Sequence, residues 1–230
     1  MAERGLIPVD LGPGARSYFT TNQFDLATVE GRAALSDAVG LPLAFVKQVH
    51  GDRLCWVDQP TPDPARYPTG DALGSRQRGI GLVIRTADCV PVLLADPERG
   101  LVAAVHVGWR GLMSDAVRSA LAEVAGQDAG ALRAAVGPAI CGDCYQVGED
   151  LAAEARRRGH VTGTSADGSA RLDVAASVVA QLRRGGIERI EWVRECTRES
   201  ERFFSWRRDR SAGRQGAVIA LADPTGANRP

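Results

Sequence analysis

The chain has 230 residues, of which 28 are Lys or Arg and 28 are Asp or Glu, so its formal net charge is zero. This balance gives no electrostatic argument for binding to nucleic acid or to a membrane surface. No apolar stretch approaches bilayer-spanning length, and no basic segment followed by an apolar core opens the sequence. We therefore expect a cytoplasmic protein whose five irregularly spaced cysteines are reduced thiols.

The sequence predicts a central cluster of short apolar strands with helices on both flanks, and not a strict alternation of strands and helices. Predicted helices cover residues 28–40, 112–126, 148–159 and 171–186. Predicted strands cover residues 43–49, 52–58, 79–87, 90–96, 101–107, 131–137, 187–195 and 216–223. The Pro-rich segment 59–72 predicts a long loop. This order favours an α+β fold, a single layered domain over residues 1–230 in which 1–20 and 223–230 are peripheral.

The most informative residues are His50, Cys89 and His106, each at the end of an apolar run. Imidazole and thiolate are preferred zinc ligands, and three protein ligands leave one position open, as a catalytic zinc requires. We predict a Zn²⁺ site here, which Cu²⁺ could also enter. The same groups could instead form a nucleophilic thiolate with an imidazole base. Taken singly, each histidine could be a hydrogen-bonded core residue, and Cys89 a small buried hydrophobe.

Two aspartates lie beside these motifs. Asp71 follows the Pro-rich loop and could accept a proton or bind ribose, although a solvated turn residue is an equally good interpretation. Asp88 precedes Cys89 and could orient a ligand histidine, or it could cap a turn before Pro91.

The predicted substrate-binding residues are mainly arginines, whose planar guanidinium matches phosphate geometry. They are Arg110, Gln48, Ser205, Arg207, Arg208 and Arg214. Arg110 lies between two glycines before a predicted helix, where an anion could be held. Arg207 and Arg208 follow an aromatic segment that could line a base pocket, although a solvated charge run is the safer interpretation of either residue alone.

Several standard motifs are absent, including the P-loop, the G-x-S-x-G elbow and H-E-x-x-H. Cys141 and Cys144 form a C-x-x-C, but the upstream H-x-E of nucleobase deaminases is missing. A zinc site at this pair would need two more ligands, for which His160 and Cys196 are the spare residues. We favour two structural thiols in a turn.

Five segments together resemble the YfiH-like family, whose members carry laccase-domain labels and were later described as purine nucleoside phosphorylases. They are KQVHG, TADCVPVLLAD, HVGWRG, VGPAIC..CYQVG and FFSWRRD...AGR, in order between residues 45 and 221. The resemblance implies mixed β-sheets packed between helices in an αββα sandwich, with zinc on His50, Cys89 and His106. It also implies phosphorolysis of adenosine, inosine and methylthioadenosine, with deamination of adenosine at the same site.

Three functions follow as hypotheses. The first is a zinc-dependent purine nucleoside enzyme, a monomer or homodimer whose partners are purine nucleosides and phosphate, not nucleic acid or membrane. The second is a cysteine hydrolase acting on an amide such as a cell-wall precursor peptide, with Cys89 as nucleophile and His106 or His50 as base. The third is a metal-binding protein without enzymatic activity. Laccase chemistry is disfavoured because three histidines cannot supply the ligands of a multicopper oxidase.

Overall fold

A computed structural model describes residues 5–96, 98–125, 129–210 and 212–222. Its strands are β1 (Leu6–Pro8), β2 (Ala15–Thr20), β3 (Leu43–Phe45), β4 (Leu54–Trp56), β5 (Ala72–Ser75), β6 (Gly81–Thr86), β7 (Val90–Asp96), β8 (Leu101–Val107), β9 (Arg133–Val136), β10 (Thr162–Thr164), β11 (Ala170–Leu172), β12 (Arg189–Trp192) and β13 (Gln215–Leu221). Its helices are α1 (Val29–Val39), α2 (Trp109–Met113), α3 (Ala116–Val124), α4 (Glu149–Arg157) and α5 (Val174–Arg184), with 3₁₀ turns at Pro64–Arg66 and Ala129–Ala131. No helix within these ranges is long and apolar enough to cross a membrane.

Two mixed sheets form the centre of the molecule. One has the strand order β1-β2-β13-β6-β3 and the other β12-β9-β7-β8-β5-β4, while β10 and β11 form a separate hairpin. The central strands β7, β8 and β13 are buried along their whole length. Strands covered on both faces read as continuous apolar runs, which is why the sequence shows them so clearly.

The two sheets pack face to face, and helices cover both outer faces. The core between the sheets includes Leu82, Ile84, Leu93, Ala104, Ala217 and Ile219. Helices α3 and α5 pack on the outer face of the six-stranded sheet, and α1 packs on the five-stranded sheet. This arrangement confirms the predicted α+β fold with mixed sheets between helices.

The structure corrects several predicted boundaries. Contrary to the prediction that residues 1–20 are peripheral, β2 lies inside the five-stranded sheet and pairs with β13, with Phe19 fully buried. Residues 223–230 lie outside the described ranges. The predicted helix 112–126 is split into α2 and α3 because Asp115 adopts a left-handed conformation, with φ of 59°. A single domain over 1–230 stays our prediction.

Candidate active site

The predicted zinc ligands come together where the chain passes from one sheet to the other. Cys89 immediately precedes β7, and His106 lies near the end of the neighbouring strand β8, opposite Pro91. His50 reaches them from the loop that follows β3, which a bridge between Lys47 and Thr69 holds near the sheet. One ligand atom from each of the three residues lies within 4.8 Å of the others. We call His50, Cys89 and His106 the cavity cluster.

Asp71 holds two members of this cluster in place. Its carboxylate accepts hydrogen bonds from the backbone N–H groups of Val49, His50 and Gly51, at 3.1, 2.9 and 2.7 Å. It also lies 2.8 Å from Nδ1 of His106. That contact leaves Nε2 of the imidazole free to face the cluster. Carboxylate partners of metal-binding histidines commonly orient the ring in this way.

Gly108 leaves room for the cluster beside the first turn of α2. A Cβ atom at this position would lie 2.8 Å from Nδ1 of His50 and 3.0 Å from Sγ of Cys89. The imidazoles of His50 and His106 meet nearly edge to face, with ring centroids 4.9 Å apart. Close packing against these two side-chain atoms therefore explains why the first glycine of HVGWRG, Gly108, has no side chain.

The electrostatics of the metal-free cluster favour an ion pair. Burial by itself raises the pKa of Cys89, but the charge and hydrogen bond of His106, joined by His50, lower this pKa to about 6. Burial by itself lowers the pKa of His106, but the Cys89 thiolate and the Asp71 carboxylate raise it to about 9. Between these values Cys89 is a thiolate and His106 an imidazolium. A thiolate is the form that binds a metal or attacks an electrophile.

Asp88 has a different role from the one predicted for it. Its carboxylate accepts hydrogen bonds from Thr197 Oγ1 at 2.7 Å and from the backbone N–H of Arg207 at 2.6 Å. Asp88 therefore fixes the loop that carries Thr197 and Arg207, and does not orient a histidine as predicted. Asp71, which the sequence suggested as a ribose ligand or proton acceptor, contacts His106 instead. Both His50 and Asp88 have positive φ, of 61° and 84°. Such strained backbone is often retained at functional sites.

A cavity of about 880 Å³ opens beside the cluster. Its lining includes all three members of the cavity cluster and the arginines Arg85, Arg110, Arg207, Arg210 and Arg214. The aromatic side chains of Trp109, Tyr145 and Trp206 also line it. Three arginines stack on these rings, with Arg110 4.4 Å from Trp109, Arg207 4.9 Å from Tyr145, and Arg214 5.5 Å from Trp206. Cation–π contacts of this kind hold the guanidinium groups at the cavity wall.

The other predicted site residues lie elsewhere or are engaged. Ser205 is fully buried, and its hydroxyl accepts a hydrogen bond from the N–H of Arg208. The guanidinium of Arg208 donates to four backbone carbonyls, so it stabilises a loop. Neither residue lines the cavity, and neither does Asp71. Gln48 lines it, but its amide pairs with both backbone groups of Arg85.

Arg85, Arg210 and Tyr145 line the cavity although the sequence did not single them out. Arg85 is the one charged residue within the apolar strand β6, and a charged residue in such a strand could have indicated a functional site. Tyr145 follows the C-x-x-C, and only the folded loop shows that its ring faces the cavity. The third histidine, His160, is buried after α4 and is not among the residues that line this cavity.

Known proteins resemble this chain over most of its length. A family model described as multi-copper polyphenol oxidoreductase laccase matches residues 20–222. A purine nucleoside phosphorylase of Streptomyces coelicolor is 42% identical, over 78% of this chain and 75% of that protein. An adenosine deaminase, RL5, from an unknown prokaryotic organism is 32% identical, over 85% and 84%. The crystal structure of YfiH from Bacillus licheniformis superposes with a TM-score of 0.87 at 25% identity, over 96% and 98%. The chain therefore belongs to the YfiH-like family.

Proposed function

We propose that this protein is an enzyme that acts on purine nucleosides. In its main reaction, adenosine, inosine or methylthioadenosine reacts with phosphate to give the free base and the corresponding ribose 1-phosphate. Deamination of adenosine in the same cavity is its second activity. The observation that carries the proposal is that one cavity combines the cavity cluster with five arginines. The names of the relatives, purine nucleoside phosphorylase and adenosine deaminase, support it.

The charge of the cavity suits phosphate as a substrate. Among the described residues that line it, Asp88 is the one carboxylate, and both of its oxygens accept hydrogen bonds from the protein. The arginines are therefore in excess over carboxylates. Arg207 and Arg214 each use one guanidinium nitrogen on backbone carbonyls, which leaves other N–H groups for an anion. In phosphorolysis a phosphate oxygen forms a bond to the anomeric carbon, the bond from that carbon to the base nitrogen breaks, and the base leaves with its electron pair and takes up a proton. Arginines that hold phosphate against the anomeric carbon favour this step by orientation.

The aromatic lining suits the purine. Tyr145 and Trp206 present ring surfaces to the cavity, and each is backed by an arginine. Planar bases bind well between aromatic and guanidinium faces because stacking needs no particular base edge. This surface explains how one cavity could accept both adenosine and inosine.

The cavity cluster fits a zinc ion. Two imidazoles and a thiolate are zinc donors, their spacing is compatible with one ion, and the cluster opens onto the cavity. Zinc held by His50, Cys89 and His106 would supply a Lewis acid that polarises a substrate oxygen and favours ionisation of water. Asp71 orients His106 and fixes the loop that carries His50, so it is a positioning residue in this proposal.

The multi-copper description of the family does not fit this chain. Multicopper oxidases need a mononuclear and a trinuclear copper centre, and imidazoles supply most of the ligands. The sequence has three histidines, of which two belong to the cavity cluster. One bound Cu²⁺ is compatible with this donor set, but a four-copper oxidase is not.

The proposal is tested by the phosphate dependence of base release. With inosine, hypoxanthine should appear only when phosphate is present, together with an equal amount of ribose 1-phosphate. Arg110→Ala should raise the KM for phosphate about tenfold or more and change the KM for inosine less, since loss of one charge-assisted contact has this magnitude. Arg118→Ala is the matched control because Arg118 is exposed on α3. Equal release of hypoxanthine without phosphate would identify a hydrolase and refute phosphorolysis.

A second candidate function, a cysteine hydrolase acting on an amide such as a cell-wall precursor peptide, is favoured by one specific observation. The structure contains a nucleophile, a base and an orienting carboxylate in contact with one another. The Cys89 thiol contacts His106, and Nδ1 of His106 lies 2.8 Å from the Asp71 carboxylate. In that mechanism the Cys89 thiolate forms a thioester with the carbonyl carbon, and the C–N bond breaks as His106 protonates the leaving amine. Water then hydrolyses the thioester and releases the acid. Full activity of the chelated, zinc-free protein, with a covalent adduct on Cys89, would establish this function.

Localisation in the cytoplasm, a monomeric or dimeric state, and the absence of nucleic acid and membrane partners stay predictions from the sequence.

A further inference from the structure

A second group of side chains that could hold a metal ion lies outside the cavity, at the C-x-x-C for which the sequence favoured two structural thiols. It consists of Cys141, Cys144, Cys196 and Glu199, and we call it the wall cluster. Each of the four offers one donor atom, and these atoms lie within 4.8 Å of one another. Sγ of Cys144 is 3.2 Å from the Glu199 carboxylate. None of the four lines the cavity.

We propose that the wall cluster is a second metal site, a structural zinc site that holds two loops of the cavity wall together. Ligand atoms around a tetrahedral zinc with bonds of about 2.3 Å lie about 3.8 Å apart. The wall cluster is therefore close to the spacing needed for one ion. Three sulfur donors with one carboxylate suit zinc and not Mg²⁺ or Ca²⁺, which select oxygen ligands. Four protein donors close the coordination sphere, which is typical of a structural zinc.

The local sequence gives two half-sites with the same spacing. Cys141 and Cys144 are separated by two residues in a turn, in which the N–H of Cys144 donates to the Cys141 carbonyl at 3.1 Å. Cys196 and Glu199 are also separated by two residues, and the N–H of Ser200 closes their turn onto the Cys196 carbonyl at 3.0 Å. Pairs of ligands at this spacing, one pair from each of two turns, are the usual construction of a four-ligand zinc site.

The topology brings the half-sites together. Strands β9 and β12 are parallel neighbours, so the loops that follow them meet at the same end of the sheet. Ala139 and Cys196 form a bridge between these loops, and the N–H of Cys141 lies 3.4 Å from Sγ of Cys196. A hydrogen bond from a backbone N–H to a ligand sulfur is the kind of outer contact that supports a metal site.

The position of the wall cluster gives it a function. The first loop supplies Ile140 and Tyr145 to the cavity, and the second continues to Trp206 and Arg207. Thr197, next to Cys196, donates to Asp88, which precedes Cys89. A zinc ion here would fix the aromatic and arginine wall behind the reacting groups. Cys55, the remaining cysteine, lies apart and contacts the Thr69 carbonyl.

The test is zinc stoichiometry of the intact, reduced protein, measured by elemental analysis after equilibration with zinc alone. Wild type should bind about two ions per chain, Cys89→Ala and Cys144→Ser about one each, and the double variant none. Cys55→Ala is the matched control and should bind two. Because the single variants remove different ions, failure of the wall cluster is distinguishable from failure of the cavity cluster. Unchanged zinc in Cys144→Ser relative to wild type would overturn the proposal.

Three further measurements do not depend on Cys144→Ser folding correctly. In wild type, zinc should protect Cys141, Cys144 and Cys196 from alkylation, and chelation should expose them, as read by mass spectrometry. Glu199 is exposed, so Glu199→Gln should fold and retain the second zinc with about tenfold weaker affinity. In Cys89→Ala, Co²⁺ should give the strong thiolate charge-transfer absorption of a sulfur-rich site. Alkylation unaffected by zinc, a weak cobalt spectrum, or iron as the bound metal would each refute a zinc site here.

Discussion

The cavity cluster and the wall cluster both contain cysteine, but they place it in opposite environments. The cavity cluster has three donors, two of them imidazoles, opens onto the cavity, and is held by the buried carboxylate of Asp71. The wall cluster has four donors, none an imidazole, and lies behind the cavity lining. Burial raises the pKa of Cys144, as does its contact with Glu199, whereas the two histidines lower that of Cys89. The environment, and not the residue type, separates a reactive thiol from a structural one.

The largest expected effect comes from removing a donor of the cavity cluster. Cys89→Ala should lower phosphorolysis of inosine by more than about 100-fold, beyond what loss of an outer partner costs, because the remaining imidazoles cannot hold zinc firmly. Zinc content and steady-state rates measure this. Cys55→Ala should keep full activity because Cys55 lies in the core between the sheets and outside both clusters, with its thiol bonded to the Thr69 carbonyl. Activity near wild type in Cys89→Ala would show that the two clusters do not differ as described.

Removing the support of the cavity cluster should have a smaller effect. Asp71→Asn should weaken zinc binding or activity by about 10–100-fold, the usual cost of losing the partner of a ligand histidine. The amide cannot accept all of the hydrogen bonds that the carboxylate accepts from the loop and His106. Asp63→Asn, an exposed aspartate in the Pro-rich loop, is the control and should be neutral. Zinc competition with a chromogenic chelator gives the affinity, and wild-type affinity in Asp71→Asn would contradict a positioning role.

A steric change tests the same cluster without altering any donor. Gly108→Ala would place a methyl group against His50 and Cys89, so zinc affinity should fall about tenfold. Gly148→Ala is a close match, since Gly148 also precedes a helix with negative φ and a Cβ there meets nothing within 4 Å. Equal affinity in the two variants would mean that the ligands can shift at little cost.

The two clusters should also differ in their response to pH when zinc is removed. The folded-state pKa of Cys89, about 6, lies below the usual thiol value, so its thiolate persists at neutral pH and is lost as pH falls through 6. Alkylation of Cys89 should therefore rise with pH around 6 and at pH 7 exceed that of Cys144 by about tenfold or more. Mass spectrometry of chelated protein over pH 5–9 measures both rates. A midpoint near 9 for Cys89 would refute the ion pair with His106.

The grouping of His50, Cys89 and His106 and the layered fold were predictable because their signals are local. Continuous apolar runs give β7 and β8, and the ligands occur at the ends of such runs. Strand β2 was missed because Arg16 and the buried Ser17 interrupt its apolar pattern, and only the pairing with β13 places it in the sheet. Glu199 was not considered as a metal donor because a glutamate in a charged segment carries no local sign of the two thiols, Cys141 and Cys144, that approach it from another loop. The role predicted for Asp88, orienting a histidine, belongs to Asp71, while Asp88 fixes a loop, because these roles depend on which strand ends meet.

The smallest expected effect comes from the wall cluster. Cys144→Ser should lower phosphorolysis only a few-fold, mainly by raising the KM for the nucleoside, because the loops it joins carry Tyr145 and Trp206 but no donor of the cavity cluster. The loops keep other links, including the bridge from Ala139 to Cys196 and the bond from Thr197 to Asp88, so the wall should loosen and not collapse. The expected signature is a lower melting temperature on chelation in Cys89→Ala, where the wall cluster is intact, and no such shift in the double variant with Cys144→Ser. A loss of activity in Cys144→Ser as large as that in Cys89→Ala would mean that both clusters serve the chemistry directly, and the distinction between an open and a closed site would fail.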